Sequence, residues 1–324
     1  MKYRAFGKTG FETSEIGFGG WAIGGSWGPQ NDKDSVAALH RALDMGVNFI
    51  DTAEGYGEGR SERVIGQVLK ERKEEIFVAT KTAPAPGDWP PSYFENWEDR
   101  YSEAHLRKNV EERLRNLGTD TIDLLQLHTW TRAWNRDPQP FAILRKLQQE
   151  GKIRHIGIST PEHDQNSVID LIRGGWIDSV QLIYNIFEQE PAADLLPIAH
   201  DHGVAVIVRV ALDEGSLTGK FTADHTFAED DFRRNFFAGN RLERTVQRVE
   251  KIKDDFKDSG YTMPQLALKF ALSHPAVSNV IPGIRNVGQA EANCAVSDLA
   301  DLNPEQIKRL QKHQWRRAFW YGGL

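Results

Sequence analysis

An aspartate, a tyrosine, a lysine and a histidine stand where short apolar runs give way to loops, and together they have the makings of a proton-transfer site. Asp51 closes the run Val47-Asn48-Phe49-Ile50, and Tyr56 follows five residues later between Gly55 and Gly57. A strand end is rigid and holds the acid in place, while the glycines let the backbone bend sharply and present the phenol beside it. Lys81 ends Phe77-Val78-Ala79-Thr80. A lysine entering the interior needs a carboxylate partner or loses its charge, and Asp51 is the obvious one. An ammonium close to the Tyr56 hydroxyl favours phenolate, which lowers the phenol towards the working range of a general acid. His128 ends Leu124-Leu125-Gln126-Leu127 as a neutral donor able to orient a carbonyl oxygen. Ser159, Gln181 and Arg209 occupy further strand ends.

Elements of a particular kind must position these groups. β-type runs recur at 15–20, 47–51, 76–81, 122–128, 153–160, 179–184, 204–210 and 279–284. Between and after them lie segments of helical periodicity: 34–45, 61–72, 102–117, 139–150, 163–173, 192–202, 263–272 and 287–295, with Ser61 as the cap of the second. Several end at a glycine, as helices often do. Strands alternating with helices imply parallel pairing and right-handed crossovers, and eight such units close a barrel. The expected fold is therefore a single (β/α)8 TIM barrel spanning residues 1–324. A hairpin over 3–12, turning at Gly7-Lys8-Thr9-Gly10, caps its floor. Residues 82–101, 129–137 and 211–240 are long loops after strands, and loops there build or cover a site. A charged helix over 244–257 follows the last of them. Trp21, Trp89, Trp97, Trp130 and Trp134 lie in or just after such loops, which makes them candidates for a substrate rim. The aromatics of 315–321 have the barrel, a substrate or a second subunit to pack on.

Charge and composition narrow the classes. The chain has 324 residues, 40 Lys+Arg against 46 Asp+Glu and a net charge of −6. Basic residues are scattered, so neither nucleic acid nor an anionic membrane is indicated as a partner. Cys294 is the only cysteine, which excludes an internal disulfide and a multi-cysteine metal site, and no metal is expected. No apolar stretch approaches a membrane span, and the reading is cytoplasmic. Gly17-Phe18-Gly19-Gly20-Trp21-Ala22 matches a dinucleotide fingerprint, but it runs on through Gly24-Gly25-Ser26-Trp27-Gly28-Pro29, which no helix tolerates. Gly215 to Lys220 is one residue short of a P-loop and lacks its final Ser or Thr.

The residues resemble the aldo-keto reductases over nearly the whole chain. The resemblance rests on Asp51 with Tyr56 in Asp-Thr-Ala-Glu-Gly-Tyr-Gly, Lys81 in Ala-Thr-Lys and His128 in Leu-Gln-Leu-His. It continues through 151–159, Gln181 with Tyr184-Asn185, 217–220, and 281–285 with Gln289 and Asn293. It implies a (β/α)8 barrel and reversible hydride transfer between NADP(H) and a small carbonyl or alcohol. Tyr56 would be the proton donor, Lys81 and Asp51 its tuning pair, and His128 the carbonyl-orienting group. Ser159 and Gln181 would hold the nicotinamide carboxamide, with Gly20, Trp21 and Asp51 beside cofactor and substrate. The loop carrying Ala211, Leu212, Ser216 and Lys220 would cross the pyrophosphate. Gly283, Arg285, Gln289 and Asn293 would hold the adenosine end, and Arg285, at a helix start, would select the 2′-phosphate. Substrate would meet Trp21, Tyr56, Trp89, Trp97, His128 and Trp130.

Two departures stand out. Arg209 replaces the tyrosine that stacks on the nicotinamide in many relatives, and its charge disfavours NADP⁺ relative to NADPH. Thr160 stands where many have Asn. Two other functions fit the same residues: a Schiff-base enzyme with Lys81 as nucleophile, which Asp51 opposes by keeping the amine charged, and a cofactor-retaining subunit that binds without turnover. Oligomeric state is not legible.

Overall fold

The computed structural model describes residues 1–25 and 27–317. The hairpin strands Tyr3–Ala5 (β1) and Glu12–Ser14 (β2) pair antiparallel. The apolar runs then form Phe18–Gly19 (β3), Phe49–Asp51 (β4), Phe77–Thr82 (β5), Ile122–Leu127 (β6), Ile153–Ser159 (β7), Ser179–Ile183 (β8), Ala205–Arg209 (β9) and Val277–Val280 (β10). These eight pair parallel in chain order. Parallel bridges Ile16 to Val280 and Gly19 to Gly283 join the first to the last, so the sheet closes into a (β/α)8 barrel. The first strand is only two residues long because glycines interrupt it. Gly19 is required there: a Cβ would lie 2.6 Å from the Ile281 carbonyl oxygen.

Helices follow the strands: Asp32–Asp44 (α1), Arg60–Glu71 (α2), Trp97–Tyr101 (α3), Glu103–Leu117 (α4), Gln139–Gln149 (α5), Ile169–Arg173 (α6) and Leu195–Asp201 (α7). Arg233–Phe236 (α8) and the charged Arg241–Phe256 (α9) belong to the long insertion after β9. Met263–Leu272 (α10), Val287–Cys294 (α11) and Pro304–Gln311 (α12) complete the chain. Three expectations shift. The helix expected over 163–173 is a 3₁₀ turn, Gln165–Val168, running into α6. That over 192–202 shortens to α7, because Pro197 is tolerated only in a first turn. Ser61 does not cap α2; Gly59 stands there, and Ser61 Oγ instead donates to the Gly20 carbonyl, tying α2 to β3.

Phe49, Phe77, Leu124 and Ile207 fill the barrel from inside, and Phe6 of the hairpin plugs the floor, 5.5 Å from Phe49 and 5.2 Å from Phe77 between ring centroids. Outward residues such as Ile50 and Val78 pack against Leu39, Ile65 and Val68 of the helices. With floor and wall packed, the open end of the strands is left for chemistry. The terminal segment folds back: Trp315 packs on Phe187 at 5.7 Å, and Arg317 forms a buried ion pair with Asp213 in the loop after β9. Phe319, Trp320 and Tyr321 lie outside the described residues. Among those described, no helix is long and apolar enough to cross a membrane, no cluster of three or more His, Cys, Asp or Glu could hold a metal ion, and Cys294 is buried.

Candidate active site

Register places the site. Asp51 on β4 lies opposite Ala79 on β5, and Lys81 opposite Gln126 on β6. Ser159 on β7 lies opposite Gln181 on β8, and Gln181 opposite Ile207 on β9. Side chains two apart on a strand share a face, so Asp51, Lys81, Gln126, Ser159, Gln181 and Arg209 all point inward at the open end. His128 continues the alternation two residues past Gln126.

Asp51, Lys81 and Tyr56 are joined by hydrogen bonds, and His128 lies beside them. Lys81 Nζ donates to Asp51 Oδ1 at 2.6 Å, to the Thr52 carbonyl at 2.9 Å and to Tyr56 Oη at 3.1 Å. The second carboxylate oxygen of Asp51 accepts from Gln181 Nε2 at 2.7 Å and Gln126 Nε2 at 3.3 Å. Tyr56 is held by a turn that only glycine permits: Gly57 has φ +64°, and a Cβ there would sit 2.1 Å from the Gly24 carbonyl. The phenol faces His128 edge-on at 5.9 Å, and Trp89 meets His128 edge-on at 5.2 Å.

Electrostatics assign the protonation states. Burial works against the Lys81 ammonium, but Asp51 and Tyr56 overcome it and hold its pKa above the ordinary lysine value. The expected lowering of Tyr56 is corrected. Burial pushes the phenol above its ordinary value, and Lys81 reduces that rise without cancelling it. Taking a phenolate out of water costs more than one ammonium, itself paired to Asp51, returns. Tyr56 is thus held as a neutral phenol, a form able to give up a proton. Burial first, then Lys81 and Arg209, hold His128 well below the ordinary histidine value, so it is neutral too, and its Nδ1 has no hydrogen-bond partner among the described residues.

Asp51, Tyr56, Trp89 and His128 line one end of a cavity of about 1130 Å³ that runs on past Arg209 to Arg285, Gln289 and Asn293. The volume exceeds what a small substrate fills and suits an extended dinucleotide. Gln181 and Arg209 line this cavity, and Gln181 Oε1 and Arg209 Nε are buried with no hydrogen-bond partner among the described residues, an unmet acceptor and an unmet donor. Buried polar atoms seek partners, and a carboxamide supplies both kinds. The residues therefore fit a nicotinamide dinucleotide.

Most of the expected site residues reach the cavity. Trp21, Asp51, Ser159, Gln181 and Arg209 line the reacting end, Ala211, Leu212 and Lys220 the middle, and Gly283 the far end with Arg285, Gln289 and Asn293. Gly20 does not; its backbone N–H donates to the Asp51 carbonyl at 2.8 Å. Ser216 is buried behind the wall, donating to Asp213 at 2.5 Å. Arg285 donates to Gln30 Oε1 at 2.8 Å and the Pro29 carbonyl at 2.6 Å, tying its guanidinium to the loop before α1.

The tryptophan rim is corrected in part. Trp21 and Trp89 line the cavity. Trp130 is fully buried, packing on Trp134 and Phe141 behind it, and Trp97 donates to Asp137 outside it. Aromatic loops cover their own backbone as readily as a ligand, and the sequence has no signal that separates the two. Sequence reasoning missed Gln126, although the strand alternation that exposes His128 exposes it too. It also missed Trp27, Glu162, Glu214 and Arg233, cavity-lining residues of the irregular segments after the strands or of the short helix α8, whose conformation no periodicity reveals.

The Aldo/keto reductase family model matches residues 15–314. The chain belongs to that family. Among similar proteins, Aldo-keto reductase YhdN of Bacillus subtilis is 34% identical over 95% of this chain and 92% of its own length. The NADH-specific methylglyoxal reductase of Escherichia coli is 30% identical over 92% and 94%. The solved structure of the glycerol dehydrogenase AKR11B4 from Gluconobacter oxydans superposes with a TM-score of 0.78 at 30% identity, covering 96% of this chain and 94% of that one. This aldo/keto reductase is therefore an oxidoreductase, and the cofactor of its family is NADP(H).

Proposed function

We propose that the protein interconverts a small carbonyl compound, an aldehyde, ketone or sugar-like molecule, and its alcohol with NADP(H), the proton moving through Tyr56. One observation carries the reading: Tyr56 Oη lies 3.1 Å from the ammonium of Lys81, itself 2.6 Å from Asp51, in the wall of a cavity that continues to Arg285. The bound cofactor supplies or receives the hydride. Tyr56 gives its proton to the carbonyl oxygen during reduction, and Lys81 stabilises the phenolate left behind. Asp51 keeps Lys81 charged, and Gln126 and Gln181 keep Asp51 in place. Neutral His128 donates an N–H to the same carbonyl oxygen and orients it beside Trp21 and Trp89. Ser159 and Gln181 hold the carboxamide, Ala211, Leu212 and Lys220 pass over the pyrophosphate, and Arg285, Gln289 and Asn293 hold the adenosine end. A Schiff base on Lys81 is disfavoured, because an ammonium held charged by Asp51 is no nucleophile. One buried cysteine and NADPH chemistry suit the cytoplasm.

Consumption of NADPH, followed by absorbance against a panel of aldehydes, ketones and sugars, tests the reading. Turnover is expected for wild type, with a loss on the order of 10²–10⁴-fold in Tyr56→Phe and cofactor binding retained. Equal activity of the two proteins overturns the assignment of Tyr56.

A further inference from the structure

The sequence alone makes Arg209 an uncompensated cation beside the reacting end of the cavity. The structure gives it counter-charge. An Arg209 terminal nitrogen donates to Glu162 Oε1 at 3.1 Å and to the Thr160 carbonyl at 2.9 Å, both groups of the loop after β7. Less than a fifth of either side chain of the pair is exposed, so solvent screens it only in part. Glu162, Arg209 and the buried Glu214 line the same cavity. Arg233, which also lines it, is already matched by Asp231 at 2.5 Å. The acids around Arg209 therefore leave this end of the cavity near neutral or slightly negative, not positive.

This charge balance matters because the two redox forms of a nicotinamide differ by one positive charge on the ring. We propose that Glu162 is a positioning residue that, by pairing with Arg209, sets how strongly the pocket prefers the reduced cofactor over the oxidised one. The inference rests on the NADP(H) reading above. With Glu162 in place, the cation at Arg209 is offset and NADP⁺ is accepted nearly as readily as NADPH. Without it, the same guanidinium repels the oxidised ring. Burial holds the Glu214 carboxyl up to about 7 against the pull of Arg209 and Arg233, with Glu162 and Asp231 also facing it, so it supplies the second counter-charge only above neutral pH.

The test is equilibrium binding of NADPH and NADP⁺, read without turnover from quenching of the protein's tryptophan fluorescence at about pH 7. In Glu162→Gln the ratio of the NADP⁺ to the NADPH dissociation constant is expected to rise on the order of tenfold, a unit charge acting across a partly screened site. Glu162→Asp, which keeps the charge, should return the ratio most of the way. Arg209→Gln with Glu162 intact should move it in the opposite direction, so the inference stays testable if Glu162→Gln does not fold. Ratios that stay within about twofold of wild type in both Gln variants overturn it. Failure of wild type to bind either form would overturn the cofactor reading instead.

Discussion

Replacing Asp51 by Asn should destabilise the protein in a way that depends on pH, and the direction identifies which partner of the ion pair is left exposed. Lys81 is fully buried and Asp51 is 2% exposed. Removing one partner of a buried pair typically costs about 3–5 kcal/mol, because the other is left as an uncompensated charge. Unfolding entropy of about 2.1 cal/mol/K per residue gives roughly 0.7 kcal/mol/K for a chain of this size, so Tm should fall by about 4–7 °C near neutral pH. In wild type, Asp51 and Tyr56 overcome burial and hold the Lys81 pKa up. In Asp51→Asn the main support is gone and burial prevails, so the folded-state pKa of Lys81 drops below its unfolded value of about 10.4. Between those two values the unfolded chain binds one more proton than the folded one. Stability therefore rises with pH, at up to about 1.4 kcal/mol per unit. The deficit should be largest below that window and shrink as pH approaches about 10. Lys81→Met strands the carboxylate instead, and its deficit should grow as pH rises. Thermal or urea denaturation of the three proteins across about pH 4–10 reads both slopes, that of Lys81→Met on the acid side and that of Asp51→Asn on the alkaline side. Parallel curves for the two variants would refute a buried, charge-paired Lys81 and Asp51.

With cofactor saturating, kcat/KM for carbonyl reduction should be flat through neutral pH and fall only above about pH 10, because Tyr56 is held above its ordinary value and must be protonated to donate. An inflection near pH 7 in that parameter that persists in Glu214→Gln would move the proton donor to another group. Arg285→Ala should weaken NADPH binding roughly tenfold to a hundredfold while sparing NADH, provided the guanidinium leaves Gln30 to grip the 2′-phosphate. Equal losses for both cofactors, measured as dissociation constants, would limit Arg285 to shaping the loop. Trp89→Ala should raise KM with little change in Tm, whereas Trp130→Ala should cost about 3–5 kcal/mol and leave KM unchanged. The opposite pattern would exchange their roles.

Much of the barrel was legible because its strands lie in short apolar runs separated by helical periodicity, and the site because Asp51, Lys81 and His128 stand at or next to the ends of such runs, with Tyr56 in the loop after one. Asp51, Lys81 and His128 occupy positions a strand makes rigid, so their convergence follows from register. What was hidden depends on balance or on loop shape. The direction of the Tyr56 shift is a contest between desolvation and one ammonium, and residue order contains no measure of either. Glu162 meets Arg209 only because the loop after β7 folds inward, and Trp130 turns behind the wall for an equally local reason. Helix α12 escaped notice although Asn303, Pro304 and Gln306 mark its start with a reciprocal cap, a pattern visible in the sequence.

The ion pair between Asp213 and Arg317 fixes an order of events during synthesis. Asp213 is wholly buried and sits in a run of three left-handed residues, Asp213, Glu214 and Gly215, in the loop that lines the middle of the cavity. Its counter-ion is made 104 residues later, roughly 5–20 s at about 5–20 residues per second. Until then an ionised carboxylate cannot be buried without losing several kcal/mol, and the loop must stay turned towards water. The barrel can hydrogen-bond shut once β10 has emerged, but the wall of the cavity is completed last. On stalled nascent chains, NADPH uptake should accordingly appear only once Arg317 has left the ribosome, after the barrel strands have formed.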